Sequence, residues 1–295
     1  MAKRKIITIT IALIVVLAIV GLAIYGMLFF SKTTEAILLP EKGTVEINSG
    51  SGFQAVTTQT NVDENDIIKT GPDSSAQLII YESVLITLES NTQVTLADLK
   101  KDNIQVSQQA GSTWNKFTKL NGVTGYTLTT PTSVAAVRGT EFGLNNDRLI
   151  VAEGTVALDA QGQKLDVAGD EKAEISTHGA QKKELTSDDM EYMITRLEIQ
   201  RKQLQQLRTR ELEKHDSIIK VAQTKYTQLN KDGNPGSLNE MLDAADNGDV
   251  DLENAEVQIP IKAEWVGNVF DLTRKIKDQK DHIAELKKHR DQMRK

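Results

Sequence analysis

The sequence predicts an α+β protein whose helical and strand segments are segregated along the chain: an N-terminal transmembrane helix, then an all-β domain, then a C-terminal antiparallel helical hairpin. Three observations predict this order. A charge-free apolar run fills residues 6–30. Short alternating or β-branched segments, punctuated by Gly, Asn, Asp and Ser, occupy 43–177. Two long stretches with apolar residues at three-four spacing fall within 187–295.

The apolar run, "IITITIALIVVLAIVGLAIYGMLFF", follows Lys3, Arg4 and Lys5 and has only Thr8 and Thr10 as clearly polar side chains. As a helix it reaches roughly 37 Å, enough to cross a ~30 Å hydrocarbon core with some tilt. A cleaved signal peptide has an apolar core of about 7–15 residues and a small-residue cut site. This run instead closes on Leu28, Phe29 and Phe30. Basic residues lead the span, which orients the N-terminus inward. The expected protein is therefore single-pass in the cell membrane, with residues 1–5 as a cytoplasmic stub and the chain from 31 onward outside the cytoplasm. Residues 31–42 read as a linker.

Hydrophobic residues make up 39% of the 295 positions, ample for a buried core, whereas aromatic residues are only 4%. The net charge of −6 excludes a nucleic-acid partner, because phosphate binding needs a basic surface. Cysteine is absent, which removes disulfides, thiolate metal sites and cysteine nucleophiles. Segments such as "AQLIIY", "VLITLES", "TQVTLA" and "RLIVAEG" have strand character and short, regular separations, which fit either a short β-solenoid or a sandwich.

After a linker at 178–186, Ser187 followed by Asp188 and Asp189 reads as a helix start, and "NKDGNPG" as the stop near Asn230. The apolar stripe of this helix, including Met193, Leu197, Leu204 and Leu207, is interrupted by Gln200, Glu211 and Lys214. A second helix, from about Ile261, carries Val269, Leu272, Ile276, Ile283, Leu286 and Met293, with Gln279 and Arg290 at the remaining seam positions. The insert at about 231–260 holds a short helix started by Ser237 and Glu240 and closed by Gly248. The interrupted stripe predicts incomplete pairing. Val269, Leu272 and Ile276 are expected to pack on the first helix, whereas Ile283, Leu286 and Met293 are expected to be less covered and open to a second copy or another envelope protein.

Candidate chemistry is sparse. The run "DAADNGDVDLEN" at 243–254 invites a calcium reading, but against the EF-hand pattern Ala245 replaces one ligand and Asn254 the bidentate Glu, so a solvated turn is the better reading. His178, His215, His282 and His289 form no ligand motif. No nucleophile elbow, phosphate loop or paired-carboxylate constellation is present, so no catalytic, cofactor or metal residue is assigned and an enzyme is not expected.

The β-domain resembles the FecR domain, the extracytoplasmic module of the iron-dicitrate sensor and anti-sigma-regulator family. The residues that carry the likeness are "DIIKTGPDSSAQLII" (66–80), "SVLITLESNTQVTL" (83–96), "TTPTSVAAVRGTEFGL" (129–144) and "VAEGTVALDAQGQKLDVAGD" (151–170). The resemblance implies an extracytoplasmic β-scaffold. It stops short of anti-sigma action, which in that family belongs to a cytoplasmic domain ahead of the span.

Within 129–144 the alternation changes phase at Arg138 and Gly139. On a straight strand Arg138 would share a face with Val134, Ala136 and Phe142. One extra residue at Gly139 instead places Ala135 and Val137 on the same face as Thr140, Phe142 and Leu144, with Arg138 outside and able to pair with Glu141 or Glu153. A structural bulge is preferred to ligand recognition by Arg138. The expected function is a non-enzymatic, membrane-anchored adaptor that binds an envelope protein or glycan, with self-association through the C-terminal helices. The alternative is the sensory ectodomain of a signalling system acting through a membrane partner.

Overall fold

The computed structural model describes residues 36–137, 139–220, 238–249 and 263–294, apart from the side chains of Leu238, Asn239 and Glu264. The predicted span at 6–30 and Arg138 lie outside the described residues. Among the described residues no helix is long and apolar enough to cross a membrane.

Among the described residues, eighteen strands form two nine-stranded sheets. The first, here the helix-side sheet, begins at one edge with β18 (Gly179–Lys183), β17 (Glu171–Ser176), β14 (Arg148–Glu153) and β13 (Glu141–Leu144). It continues through β10 (Thr113–Phe117), β7 (Val84–Leu88), β6 (Ser75–Ile80), β1 (Ala36–Lys42) and β4 (Thr60–Asn61). The second, the open sheet, begins with β16 (Gln163–Ala168), β15 (Thr155–Ala160), β12 (Ser133–Val137) and β11 (Tyr126–Thr129). It continues through β9 (Ile104–Ala110), β8 (Gln93–Asp98), β5 (Ile67–Thr70), β2 (Val45–Asn48) and β3 (Gln54–Ala55). The β11–β9 ladder is parallel, and the other strand pairs are antiparallel. The two open readings resolve to a sandwich: two sheets face each other across one apolar core that includes Leu78, Ile86, Phe117, Tyr126, Phe142 and Leu158.

Burial patterns follow from what covers each sheet. In the open sheet β12 alternates buried and exposed residues, as a strand with one wet face must. In the helix-side sheet β7, β10 and β13 are buried at every position, because helices cover the second face. Inside the core the polar side chains close on one another: the Tyr126 hydroxyl donates to Asn115 Oδ1 at 2.7 Å, Asn115 Nδ2 to Thr113 Oγ1 at 2.9 Å, and Thr113 Oγ1 to Gln108 Oε1 at 2.7 Å. Burial pushes the Tyr126 pKa up, so the ring stays a neutral donor.

The strands extend beyond both predicted boundaries. β1 lies within the stretch read as a linker: Ala36 and Leu38 are buried in the core and pair with Ile80 and Leu78. β18 likewise occupies most of the predicted linker at 178–186, with Ala180 buried and paired to Ile175. Each strand buries only two residues, too short a pattern to stand out in the sequence.

The phase break at Gly139 proves to be a corner between sheets. β12 ends at Val137 in the open sheet and β13 starts at Glu141 in the helix-side sheet, with Gly139 at φ +68. Ala135, Val137, Thr140, Phe142 and Leu144 are all buried. The corner backs onto Gly154, whose added Cβ would come within 2.7 Å of both Gly139 O and Thr140 Cγ2, so the arginine-glycine-threonine and glutamate-glycine motifs meet in space. Gly139→Val puts a β-branched residue at positive φ and is expected to cost about 1–3 kcal/mol. An unchanged urea midpoint would remove the corner argument.

Helices follow, among them α1 (Ser187–Lys214), α2 (Leu238–Asn247) and α3 (Glu264–Met293). The cap of α1 is Thr186 rather than Ser187, and Asp189 returns the bond to the Thr186 amide, a capping box. α1 stops at His215, before the expected Asn230; 216–220 are helical again and 221–237 lie outside the described residues. The start of α3 at Glu264 is close to the expected Ile261, and Gly248 follows α2 at φ +84. Ser237 and most of the 231–260 insert lie outside the described residues.

Candidate functional site

α1 and α3 run antiparallel, but both lie on the helix-side sheet, so the seam is a three-way junction rather than a free coiled coil. At one end Met193, Ile194 and Leu197 meet Ile283 and Leu286 over Trp114, Ile150 and Ala152 of the sheet. At the other, Leu204 and Leu207 meet Leu272 and Ile276 over Leu85 and Leu120. This corrects the expectation for the end of α3. Ile283 and Leu286 are 7% and 4% exposed, because the sheet supplies the cover that α1 alone could not. Met293 is 48% exposed, beside a groove of about 700 Å³ between the last turns of α3 and the β18 edge.

Between the two apolar clusters sits a polar layer. Alternation along "TWNKF" sends Thr113, Asn115 and Phe117 into the sandwich and Trp114 and Lys116 toward the helices; Glu141 faces the same way from β13. Glu141 is wholly buried. Its Oε1 accepts from Trp114 Nε1 at 2.9 Å, and its Oε2 from Gln279 Nε2 at 2.6 Å and from the Lys116 ammonium at 3.0 Å. Lys116 also pairs with the half-exposed Glu153. Burial alone would push the Lys116 pKa down, but Glu141 and Glu153 outweigh it and hold it above the ordinary lysine value. Burial does push Lys275 of α3 down. With three donors on its two oxygens, the Glu141 carboxylate ties β10 and β13 to α3 as a structural lock. Glu141 and Glu153, expected as partners for Arg138, are thus both engaged by Lys116.

Other contacts pin the helices around this layer. Asp189 takes Lys172 at 2.5 Å and Arg148 at 3.0 Å, fixing the first turn of α1 to β17 and β14. Burial would raise the Asp189 pKa, yet Lys172 and the Thr186 amide and hydroxyl hold it below the ordinary value. Glu89 accepts from the Tyr192 hydroxyl at 2.7 Å and pairs with Arg196 at 2.9 Å. Arg208 joins the helices to one another, donating to Asp246 at 2.6 and 2.8 Å and to Thr273 at 3.1 Å. Asp243 and Asp246, read from sequence as part of a solvated turn, therefore face Arg208. Among the described residues no group of three or more His, Cys, Asp or Glu could hold a metal ion.

At the edge of the junction His282 Nε2 lies 2.8 Å from Asp170 Oδ1. That hydrogen bond raises the His282 pKa above 6.5 against partial burial, with Glu141 and Glu153 adding to the pull. A histidine raised in the folded state contributes stability that is fully present below the unfolded pKa and is lost as pH rises through the folded one. This contact is therefore expected to weaken upward from about pH 6.5. An NMR titration should show the His282 pKa falling toward its ordinary value in Asp170→Asn; no change would mean that the pairing does not hold.

Among the described residues, nothing covers the outward face of the open sheet. Its centre carries Gln105, Ser107, Thr127, Thr129, Ala136 and Ala157, adjacent by register and free of charge in a chain that is 26% charged. Charges flank it, at Lys69 on β5, at Asp159 on β15 opposite Val134, and at Lys164 and Asp166 on β16. A groove of about 880 Å³ borders this face, lined by Asn103, Lys119, Thr124, Thr127 and Thr155 among others. Sequence alternation marks these positions as outward, but nothing local distinguishes a free face from a covered one.

Residues 66–157 match the profile of the family described as FecR protein. That match runs from β5 into β15 and includes the Gly139 corner, Lys116 and Glu141, while β1 to β4, β16 to β18 and the helices lie outside it. Two crystal structures, at 2.50 and 1.65 Å, of a protein from Parabacteroides distasonis ATCC 8503 described as "a putative anti-sigma factor" are similar to this chain. Each has 15% identity and a TM-score of 0.36, covering 40% of this chain and 59% of the other. This chain thus spans about three-fifths of the length of the solved chains it matches. No curated protein matches it.

Proposed function

Because this chain carries a FecR domain, we propose that it is a non-enzymatic regulatory protein that acts by binding, with the open sheet as its contact surface. The observation that carries this reading is the asymmetry of the sandwich. One face is occupied by the chain's own helices through Trp114, Lys116 and Glu141, and the other is uncharged across Gln105, Thr127, Ala136 and Ala157 and bordered by a groove. A neutral surface carries little desolvation cost, and its small side chains offer many contacts to a protein partner. The apolar run at 6–30 would anchor the chain in the cell membrane with its N-terminus inside, so that the FecR domain meets its partner outside the cytoplasm and relays the encounter through a membrane protein.

A second reading, an adaptor that holds a neutral glycan without relaying a signal, draws on the hydroxyl and amide lining of the groove at Asn103, Thr124, Thr127 and Thr155. One experiment separates the two. The full chain, carrying a photo-crosslinker at Thr129, is compared with Ala136→Arg, which places a charge in the neutral centre. The regulatory reading expects a discrete protein adduct in the parent, its loss in Ala136→Arg with the fold intact, and a changed transcriptional response. Adducts to glycan without a transcriptional change support the adaptor. Protein adducts that survive Ala136→Arg unchanged would rule out the open sheet as the surface.

A further inference from the structure

The sandwich core is complete without the helices. Every residue of the main apolar cluster comes from the strands and their turns, between Ala36 and Ala180. The helices contribute instead to separate clusters on the far side of the helix-side sheet. Lifting them off would therefore leave the sandwich interior closed.

The joint between helices and sheet is also built at less than full strength. On α1 the seam runs Met193, Leu197, Gln200, Leu204 and Leu207, and on α3 it runs Leu286, Ile283, Gln279, Ile276 and Leu272. Gln200 and Gln279 thus fall in one layer between the two apolar clusters. Gln200 is fully buried, and neither its Oε1 nor its Nε2 has a hydrogen-bond partner among the described residues; Gln279 Oε1 has none either. A polar layer of this kind lowers the stability of a seam relative to an apolar one while fixing its register.

The remaining ties differ in where they act. Arg208 with Asp246 and Thr273 is buried and binds the helices to each other. Several ties to the sheet are at least partly exposed, among them Lys214–Glu82 and His282–Asp170. The firm exceptions are the buried hydrogen bonds of Gln279 to Glu141 and of Gln203 to Thr87, which opening must break, and Asp189 with Lys172, beside the three residues that separate β18 from α1, where a pivot would have to be.

We propose that α1 and α3 form a cover that leaves the helix-side sheet as one reversible unit, pivoting at Asp189, with the Gln200–Gln279 layer setting how readily it opens. Opening presents Trp114, Ile150 and Leu85 outside while the sandwich stays folded. This device is independent of whatever binds the open sheet.

Hydrogen exchange on the full chain in detergent tests it. Amides of α1 beyond its first turn and of α3 are expected to exchange together, faster than those of β7, β10 and β13. Gln200→Leu, which replaces the partnerless amide by an apolar seam residue, is expected to slow exchange in both helices roughly ten- to a hundredfold and to leave the strands unchanged. Leu197→Ala should accelerate both helices. Helices that exchange only in step with the strands would overturn the proposal, as would a Gln200→Leu effect confined to α1 or absent.

Discussion

Glu141→Ala is expected to destabilise the folded chain by about 3–5 kcal/mol, because it leaves the Lys116 ammonium buried with only the half-exposed Glu153 as counter-charge and orphans the Trp114 and Gln279 donors. Urea unfolding followed by tryptophan emission reports it, since Trp114 donates directly to this carboxylate. Removing both charges together, as in Lys116→Met with Glu141→Leu, should recover most of the loss, because two apolar groups need no partner. A Glu141→Ala variant within about 1 kcal/mol of the parent would mean that the layer is hydrated or dispensable and that the lock does not exist.

Ile283→Asp combined with Leu286→Asp should release the second half of α3. The two side chains fill the cluster over Trp114 and Ile150, and two carboxylates there would be buried without partners. The expected loss is about 4 kcal/mol or more for that helix, seen as rapid proteolysis after Gln279 while the strands keep their exchange protection. Had these residues been the surface patch that the seam pattern implies, the same double change would leave the protease pattern untouched and alter only association. That outcome would show the sheet not to be their cover.

The contrast between those outcomes shows what the sequence could and could not reveal. Strand character, the two-helix segment and the phase break at Gly139 are local properties, set by alternation, three-four spacing and the need for positive φ, and a single window displays them. The run "VLITL" even hints at two-sided burial, which β7 has. Coverage of Ile283 is different, for it depends on Trp114 and Ile150, far away in the chain. In the same way Gln279 looks like a flaw in a stripe until Glu141 of the sheet is placed against it. In the motif around Gly139, Glu141, a residue that alternation alone marks as facing away from the sandwich core, takes its role from Gln279, which lies far along the chain. The helix cap moved by one residue because Thr186 and Ser187 are chemically equivalent candidates and only the position of Asp189 decides between them.

The order of strands within the two sheets has a consequence for how such a chain is made. Apart from β1 and β2, which sit just inside the edges as β4 and β3 join outside them, each sheet adds its strands in the sequence in which they leave the ribosome, and no ladder joins strands more than five apart in chain order. Loop closure is then a series of small steps, each made against a template already in place, and no early strand waits unpaired for a late one. A chain emerging from the ribosome could thus assemble in chain order, with the two most recent strands as the growing edges. β18 would be the last of the described strands, and α1, separated from it by three residues, would be laid down on a finished sheet.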